Sequence, residues 1–146
     1  MQIESLRQQP PFRYVDEILS INREKRTGQF GLNIMEGQHR YAYPQGLPGY
    51  LLVEAMAQSS GLLLRAVTTE AVEGDNAGYL VGVENARLPN VVPNLSSLIL
   101  DVKLHTAAAP IFCFFVSIFS GQENISSSEI QIMTRRVLNV EYSTKN

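Results

Sequence analysis

The clearest pattern in the chain lies between Ser97 and His105, where Leu98, Leu100, Val102 and Leu104 recur at every second position. A period of two places all four on one face of a β-strand. Ile111 to Phe119 predicts the next strand. Ser126 to Met133, with Ile130 and Ile132 in phase, predicts the last. Gly78 to Arg87 is a further strand candidate, set apart by the turn-rich break Pro89-Asn90-Val91-Val92-Pro93-Asn94. Upstream, Val15 to Asn22 and Thr27 to Leu32 read as a hairpin closed by the charged turn Arg23-Glu24-Lys25-Arg26. Met35 to Pro48 has no clean period and reads as a loop. Thr68 to Ala77 reads as an acidic surface loop, and the tail from Leu138 as frayed.

Between the hairpin and the later strands the period changes. Pro48-Gly49 opens a predicted helix from about Tyr50 to about Val67. Leu51, Leu52, Val53, Ala55, Met56, Ala57, Leu62, Leu63 and Leu64 fall on every side of it. A helix apolar all round is expected to be buried all round. The small residues Ser59-Ser60-Gly61 would let a sheet approach closely. One helix, a hairpin before it and about four antiparallel strands after it make an α+β plan, with the sheet wrapped around the helix. The edge strands of such a sheet need covering, and dimerisation is one way to cover them.

Composition narrows the class. At 146 residues the chain fits one domain, 1–146, and 45% hydrophobic residues suffice for a core. Twelve basic against fourteen acidic residues give a net charge of −2, which offers no electrostatic case for nucleic acid. The longest apolar run, from Ile111, is too short to span a bilayer, and the N-terminal residues lack the apolar stretch of a signal peptide. The single cysteine, Cys113, sits among Phe112, Phe114 and Phe115 and reads as a buried apolar residue in a reducing compartment. These features describe a soluble cytoplasmic protein. No metal cluster, phosphate loop or nucleotide motif is visible.

The candidate chemistry centres on Glu54, a lone carboxylate in the apolar helix. A buried carboxylate is costly unless it is paired, hydrogen-bonded or neutral. Glu54 therefore either sits in a pocket that uses its charge or lies on a wet face. Gln58, one turn on, either hydrogen-bonds beside it or packs in the helix.

The residues around Glu54 carry a resemblance. Pro11-Phe12-Arg13-Tyr14-Val15-Asp16, Tyr43-Pro44, Leu47-Pro48-Gly49-Tyr50-Leu51-Leu52-Val53-Glu54-Ala55-Met56-Ala57-Gln58, Gly82-Val83-Glu84-Asn85-Ala86-Arg87 and Val91-Val92-Pro93 follow in an order that resembles the β-hydroxyacyl-(acyl carrier protein) dehydratases of the hot-dog fold. The resemblance spans roughly Leu6 to Met133. It implies a homodimer, or a heterodimer with a related dehydratase, and an acyl chain carried on phosphopantetheine of acyl carrier protein or coenzyme A, with no further cofactor. It implies that Glu54 is the helix carboxylate and that Gly49 presents a backbone N–H to the thioester carbonyl. Tyr43, Pro44 and Gln58 fall at substrate-binding positions. An electropositive helix start with free N–H groups suits that role.

The chain also departs from the family. The family's histidine stands just before an aromatic-proline pair; here the residue before Tyr43-Pro44 is Ala42, which can neither take nor give a proton. The connection from Pro44 to Pro48-Gly49 is two residues shorter. The family's Pro-Gly-Asp reads Pro93-Asn94-Leu95. His39, three residues upstream of Ala42, lies ~10 Å away along an extended loop and reaches the site only if the loop folds back. Tyr41 and Tyr43 are nearer, but an unperturbed phenol is a poor base at neutral pH. His105 ends a strand and matches no family site. Arg13 and Asp16 read as structural, and Arg135-Arg136 as a solvated strand end.

Three functions remain open on the residues alone. One is a (3R)-hydroxyacyl-thioester dehydratase-like lyase of fatty-acid or polyketide type, active with a histidine-bearing partner subunit. Another is a hot-dog acyl thioesterase that uses Glu54 without histidine. The last is a non-catalytic acyl-binding subunit.

Overall fold

The fold was obtained as a computed structural model, which describes residues 13–34, 44–68 and 78–134. The hairpin is β1 (Glu17–Asn22) and β2 (Thr27–Asn33), joined by a turn over residues 23–26. A two-residue strand β3 (Leu47–Pro48) leads into one 3₁₀ turn (Gly49–Leu51) and then α1 (Leu52–Val67). There follow β4 (Gly78–Arg87), the short β5 (Val91–Val92), β6 (Ser97–Ala108), β7 (Ile111–Ser120) and β8 (Glu123–Thr134). The main sheet has six antiparallel strands in the order β1-β2-β6-β7-β8-β4, and β3 pairs with β5 in a separate two-stranded ladder.

The period of two in β6 has the expected consequence. Leu98, Leu100, Val102 and Leu104 are all buried. Their register partners carry the same face across the sheet: Phe30 and Leu32 on β2, Phe114, Val116 and Ile118 on β7, Ile130 and Ile132 on β8. These side chains meet Leu52, Ala55, Met56, Leu62, Leu63 and Val67 of α1 in one core. The α+β plan, a sheet wrapped around one helix, is the observed architecture.

Several local expectations change. Residues Leu47–Pro48 and Val91–Val92, read as loop and turn, form the β3–β5 ladder; two residues are too few to show a period. The strand read as ending at His105 continues to Ala108. His105 points outward, exposed, with its ring stacked on Phe115 at 4.3 Å. Cys113 is half-buried rather than buried, because it lies on the outer face of β7 between the inward Phe112 and Phe114. Its thiol is pushed above the ordinary range by burial, and further by the carboxylates of Glu129 and Glu84. Residues 69–77 and 135–146 lie outside the described residues, and with them nearly all of the expected acidic segment from Thr68 to Ala77, Arg135-Arg136 and the expected tail from Leu138.

The largest change concerns α1, which is not buried all round. Leu52, Ala55, Met56, Ser59, Leu62, Leu63 and Ala66 are buried, whereas Tyr50 and Glu54 are exposed and Ala57, Gly61 and Arg65 half-buried. Positions 50, 54, 57, 61 and 65 follow the helical repeat, so they form one stripe that the sheet leaves uncovered. Nothing lies within 4 Å of where a Cβ on Gly61 would be.

The raised Cys113 thiol gives a direct check. A thiol is reactive as thiolate, so iodoacetamide at pH 8 should alkylate the native chain several-fold more slowly than the urea-unfolded chain. Glu129→Gln should speed the native reaction, because it removes one of the charges that hold the proton on.

Candidate functional site at the start of the helix

The helix start is built by backbone geometry, with no side-chain cap. Pro48 holds the extended φ of −57° and ψ of 134° that precedes the first helical turn, and no side chain caps the turn. β3 and β5 pair Leu47 with Val92 and Pro48 with Val91. One residue further on, the Gly49 N–H donates to the Asn90 carbonyl oxygen at 3.0 Å. A Cβ on Gly49 would stand 1.6 Å from the Pro89 carbonyl oxygen, so only glycine lets the two backbones meet here. Gly46, at φ +113°, makes the preceding turn in a region that favours glycine. The segment 89–92 thus clamps the mouth of the helix.

The Gly49 hydrogen bond bears on the role that the resemblance gives this residue. Its single N–H is already spent on Asn90. Asn90 and Pro89 clamp the helix start, a contact that the residue pattern did not show. Their part is played by carbonyl groups, which every residue carries, so their identity leaves no signal. The need for glycine at position 49 was the only trace.

Glu54 lies one turn past this mouth, on the uncovered stripe, and is exposed in the single chain. As the acidic residue of the first turn of α1, it stands where the helix dipole favours negative charge. Pro44, exposed, lines a cleft of about 270 Å³ with Gln45, Gly46, Pro48, Asn90 and Val91, immediately beside the helix start. Gln58, one turn on, is turned into the core. It is 3% exposed, and its Oε1 accepts the Tyr14 N–H at 2.6 Å, which ties the segment before β1 to the middle of α1. Asp16 is likewise structural: its Oδ2 accepts the Asn33 N–H at 2.7 Å. Tyr43, His39, Tyr41 and Ala42 lie outside the described residues. His105, on the outer face, is separated by the sheet from the helix side. Among the described residues no three His, Cys, Asp or Glu side chains cluster to hold a metal ion.

The geometry therefore brings together Pro44, Gly49 and Glu54 at one helix mouth and turns Gln58 into the core. The first turn carries the positive end of the helix dipole, and Glu54 stands in the first turn of α1 beside it. That pairing can polarise a carbonyl and move a proton on a neighbouring carbon.

Comparison with known proteins gives the family and the fold. The FabA-like domain family matches residues 6–129. The chain is 32% identical over 130 residues to a 3-hydroxyacyl-[acyl-carrier-protein] dehydratase FabZ of Paracidovorax citrulli, covering 87% of this chain and 89% of that protein. It is 34% identical over 104 residues to the FabZ of Petrotoga mobilis, covering 70% and 72%. Among solved structures, the dehydratase heterocomplex ApeI:P from Xenorhabdus doucetiae aligns at TM-score 0.76 with 17% identity, over 93% of this chain and 92% of that one. A hypothetical thioesterase with coenzyme A from Streptococcus pneumoniae aligns at 0.64 with 11% identity, over 84% and 87%. These likenesses show the hot-dog fold.

Two substitutions separate the structural roles. Gly49→Ala should disrupt the helix mouth, and chemical denaturation should show a loss of at least ~2 kcal/mol, because a Cβ cannot fit against Pro89 without moving the backbone. Gln58→Leu should cost about 1–3 kcal/mol, since it leaves the Tyr14 N–H buried and unpaired.

Proposed function

The chain belongs to the FabA-like domain family, with FabZ 3-hydroxyacyl-[acyl-carrier-protein] dehydratases as relatives, and from that membership we propose that it removes water from a 3-hydroxyacyl thioester. Its function is dehydratase-like; the assignment of the working groups is our reading. The observation that carries it is the placement of Glu54. It is an exposed carboxylate one turn inside a helix mouth, on a stripe the chain itself does not cover. The acyl group would be carried on phosphopantetheine of acyl carrier protein or coenzyme A. Water elimination is redox-neutral, so the reaction itself calls for no redox cofactor.

The chemistry needs two proton transfers. One group takes a proton from C2, and another gives a proton to the hydroxyl leaving C3; the C2=C3 double bond forms and water departs. Glu54 serves one transfer. The N–H groups and dipole of the first helical turn stabilise the enolate oxygen of the thioester. Since the Gly49 N–H is bonded to Asn90, we assign that contact to the turn as a whole, with Gly49 setting its position. Pro44 and the cleft beside it flank the incoming thioester, and Tyr43 falls next to them in sequence.

The second transfer needs a group this chain lacks at position 42. We propose that a partner subunit supplies it, as the histidine of a related dehydratase. The exposed surface supports an assembly. β4 ends the sheet, pairs only with β8, and exposes Tyr79, Leu80, Val81 and Val83. A ten-residue edge strand with apolar side chains on both faces invites pairing with another chain. The structural neighbour from Xenorhabdus doucetiae is a dehydratase heterocomplex, which supports a heteromeric reading over a homodimer. A cytoplasmic setting suits a carrier-bound substrate, and no described helix is long and apolar enough to cross a membrane.

Ala42 also favours a second reading, an acyl thioesterase in which Glu54 activates water without histidine; thioesterases stand among the structural neighbours. One experiment separates the readings. The chain is purified alone and co-expressed with a histidine-bearing FabZ-type relative. Enoyl-thioester hydration is followed by loss of ultraviolet absorbance, and thioester cleavage by free thiol. The pair should hydrate, and Glu54→Gln in this chain should lower the rate at least ~100-fold without dissolving the complex. Thiol release in place of hydration would select the thioesterase. Acyl-thioester binding with neither activity, unaffected by Glu54→Gln, would select a non-catalytic binding subunit. In the same preparations, Val81→Lys on β4 should lower the assembled mass seen by light scattering.

A further inference from the structure

We propose that Tyr50 is the positioning residue for Glu54, its phenol O–H donating a hydrogen bond to the Glu54 carboxylate in the assembled site. The inference rests on the reading that Glu54 moves a proton. Tyr50 stands in the first turn and is 64% exposed, an unusual place for a large ring in a chain with so complete a core. It is four residues before Glu54 on the uncovered stripe. Within an α-helix residues at that spacing have Cβ atoms about 5–6 Å apart, and the 3₁₀ turn that holds Tyr50 runs directly into α1. Helical side chains lean toward the N-terminus, so the Glu54 carboxylate leans over the turn that holds Tyr50.

The other helix neighbours of Glu54 exclude themselves. Leu51 and Ala57, three residues to either side, carry no polar group. Gln58, four residues on, is 3% exposed and held in the core, where its Oε1 accepts the Tyr14 N–H. Tyr50 is the exposed neighbour of Glu54 on this stripe that carries a donor. Covering the stripe makes the contact necessary. A second subunit laid on it would take a carboxylate and a phenol out of water together, and each is costly without a partner. One O–H···O bond between them satisfies both, and it strengthens as water leaves.

The test uses the assembled protein with its histidine-bearing partner, and reads kcat and KM for enoyl-thioester hydration. Tyr50→Phe removes one oxygen and keeps the ring; it should lower kcat about tenfold and leave KM within about twofold. Tyr50→Leu should give the same kcat. Added to Glu54→Gln, Tyr50→Phe should change nothing further, because its effect passes through the carboxylate. An unchanged kcat in Tyr50→Phe overturns the proposal. So does a Tyr50→Phe effect that persists in full in the Glu54→Gln background, or a loss confined to Tyr50→Leu, which marks a packing role. If the wild-type assembly neither hydrates nor dehydrates, the dehydratase reading itself fails and this inference fails with it. That outcome is distinguished by the inactive parent.

Discussion

The structure depends on one constraint: α1 must bury a wide apolar face, and a single curved sheet is what the chain has to bury it with. Leu52, Ala55, Met56, Leu62 and Leu63 require partners on several sides. The inward rows of β2, β6, β7 and β8 supply them, and burial of apolar area at about 25 cal/mol per Å² is the driving term. A sheet of finite width curls around part of a helix and no more. The remaining stripe, positions 50, 54, 57, 61 and 65, is left open because, among the described residues, no further strand closes over it. The terminal strand β4, open on its outer edge, is the second consequence of the same limit.

Both consequences bear on the proposed site. The helix mouth is fixed by the β3–β5 ladder and by the Gly49 N–H on Asn90, while the carboxylate just beyond it stays outside the core. A rigid start and an open flank are separate products of the fold. The first sets where the helix dipole points. The second leaves room for substrate and for another chain. Gln58 marks the border between them, since one turn beyond Glu54 the helix has rotated far enough to bury an amide against Tyr14.

How much of this is legible in the sequence follows from what each signal measures. Strand β6 could be read because alternation reports which side chains leave water, and Leu98 to Leu104 leave it within the same chain. The helix was readable as a helix but not in its exposure. Val53, Ala57 and Gly61 are apolar or small on the face that the chain does not cover. Hydrophobicity records burial wherever it happens, in the subunit or in the assembly, so the pattern looked apolar all round. The β3–β5 ladder was too short to show a period. The Asn90 carbonyl that holds Gly49 is a backbone atom forty-one positions along the chain, with no side-chain trace.

On the proposed reading, an assembly accounts for Glu54 better than the single chain does. In the isolated subunit its carboxylate is solvated, and its contribution to the fold is limited to the helix dipole, about 0.3–1 kcal/mol at an exposed position. Many residues would serve there equally well. The ring of Tyr50 is harder to explain by the single chain, because at 64% exposed it gains little where it stands. Its place makes sense once a second surface covers the stripe. Covering the stripe changes the status of Glu54 from a solvated charge to a group that must be paired. The same step that hides the stripe then creates the demand for a hydrogen-bonding partner and for a second proton-transfer group, and only the first of these is available on this helix.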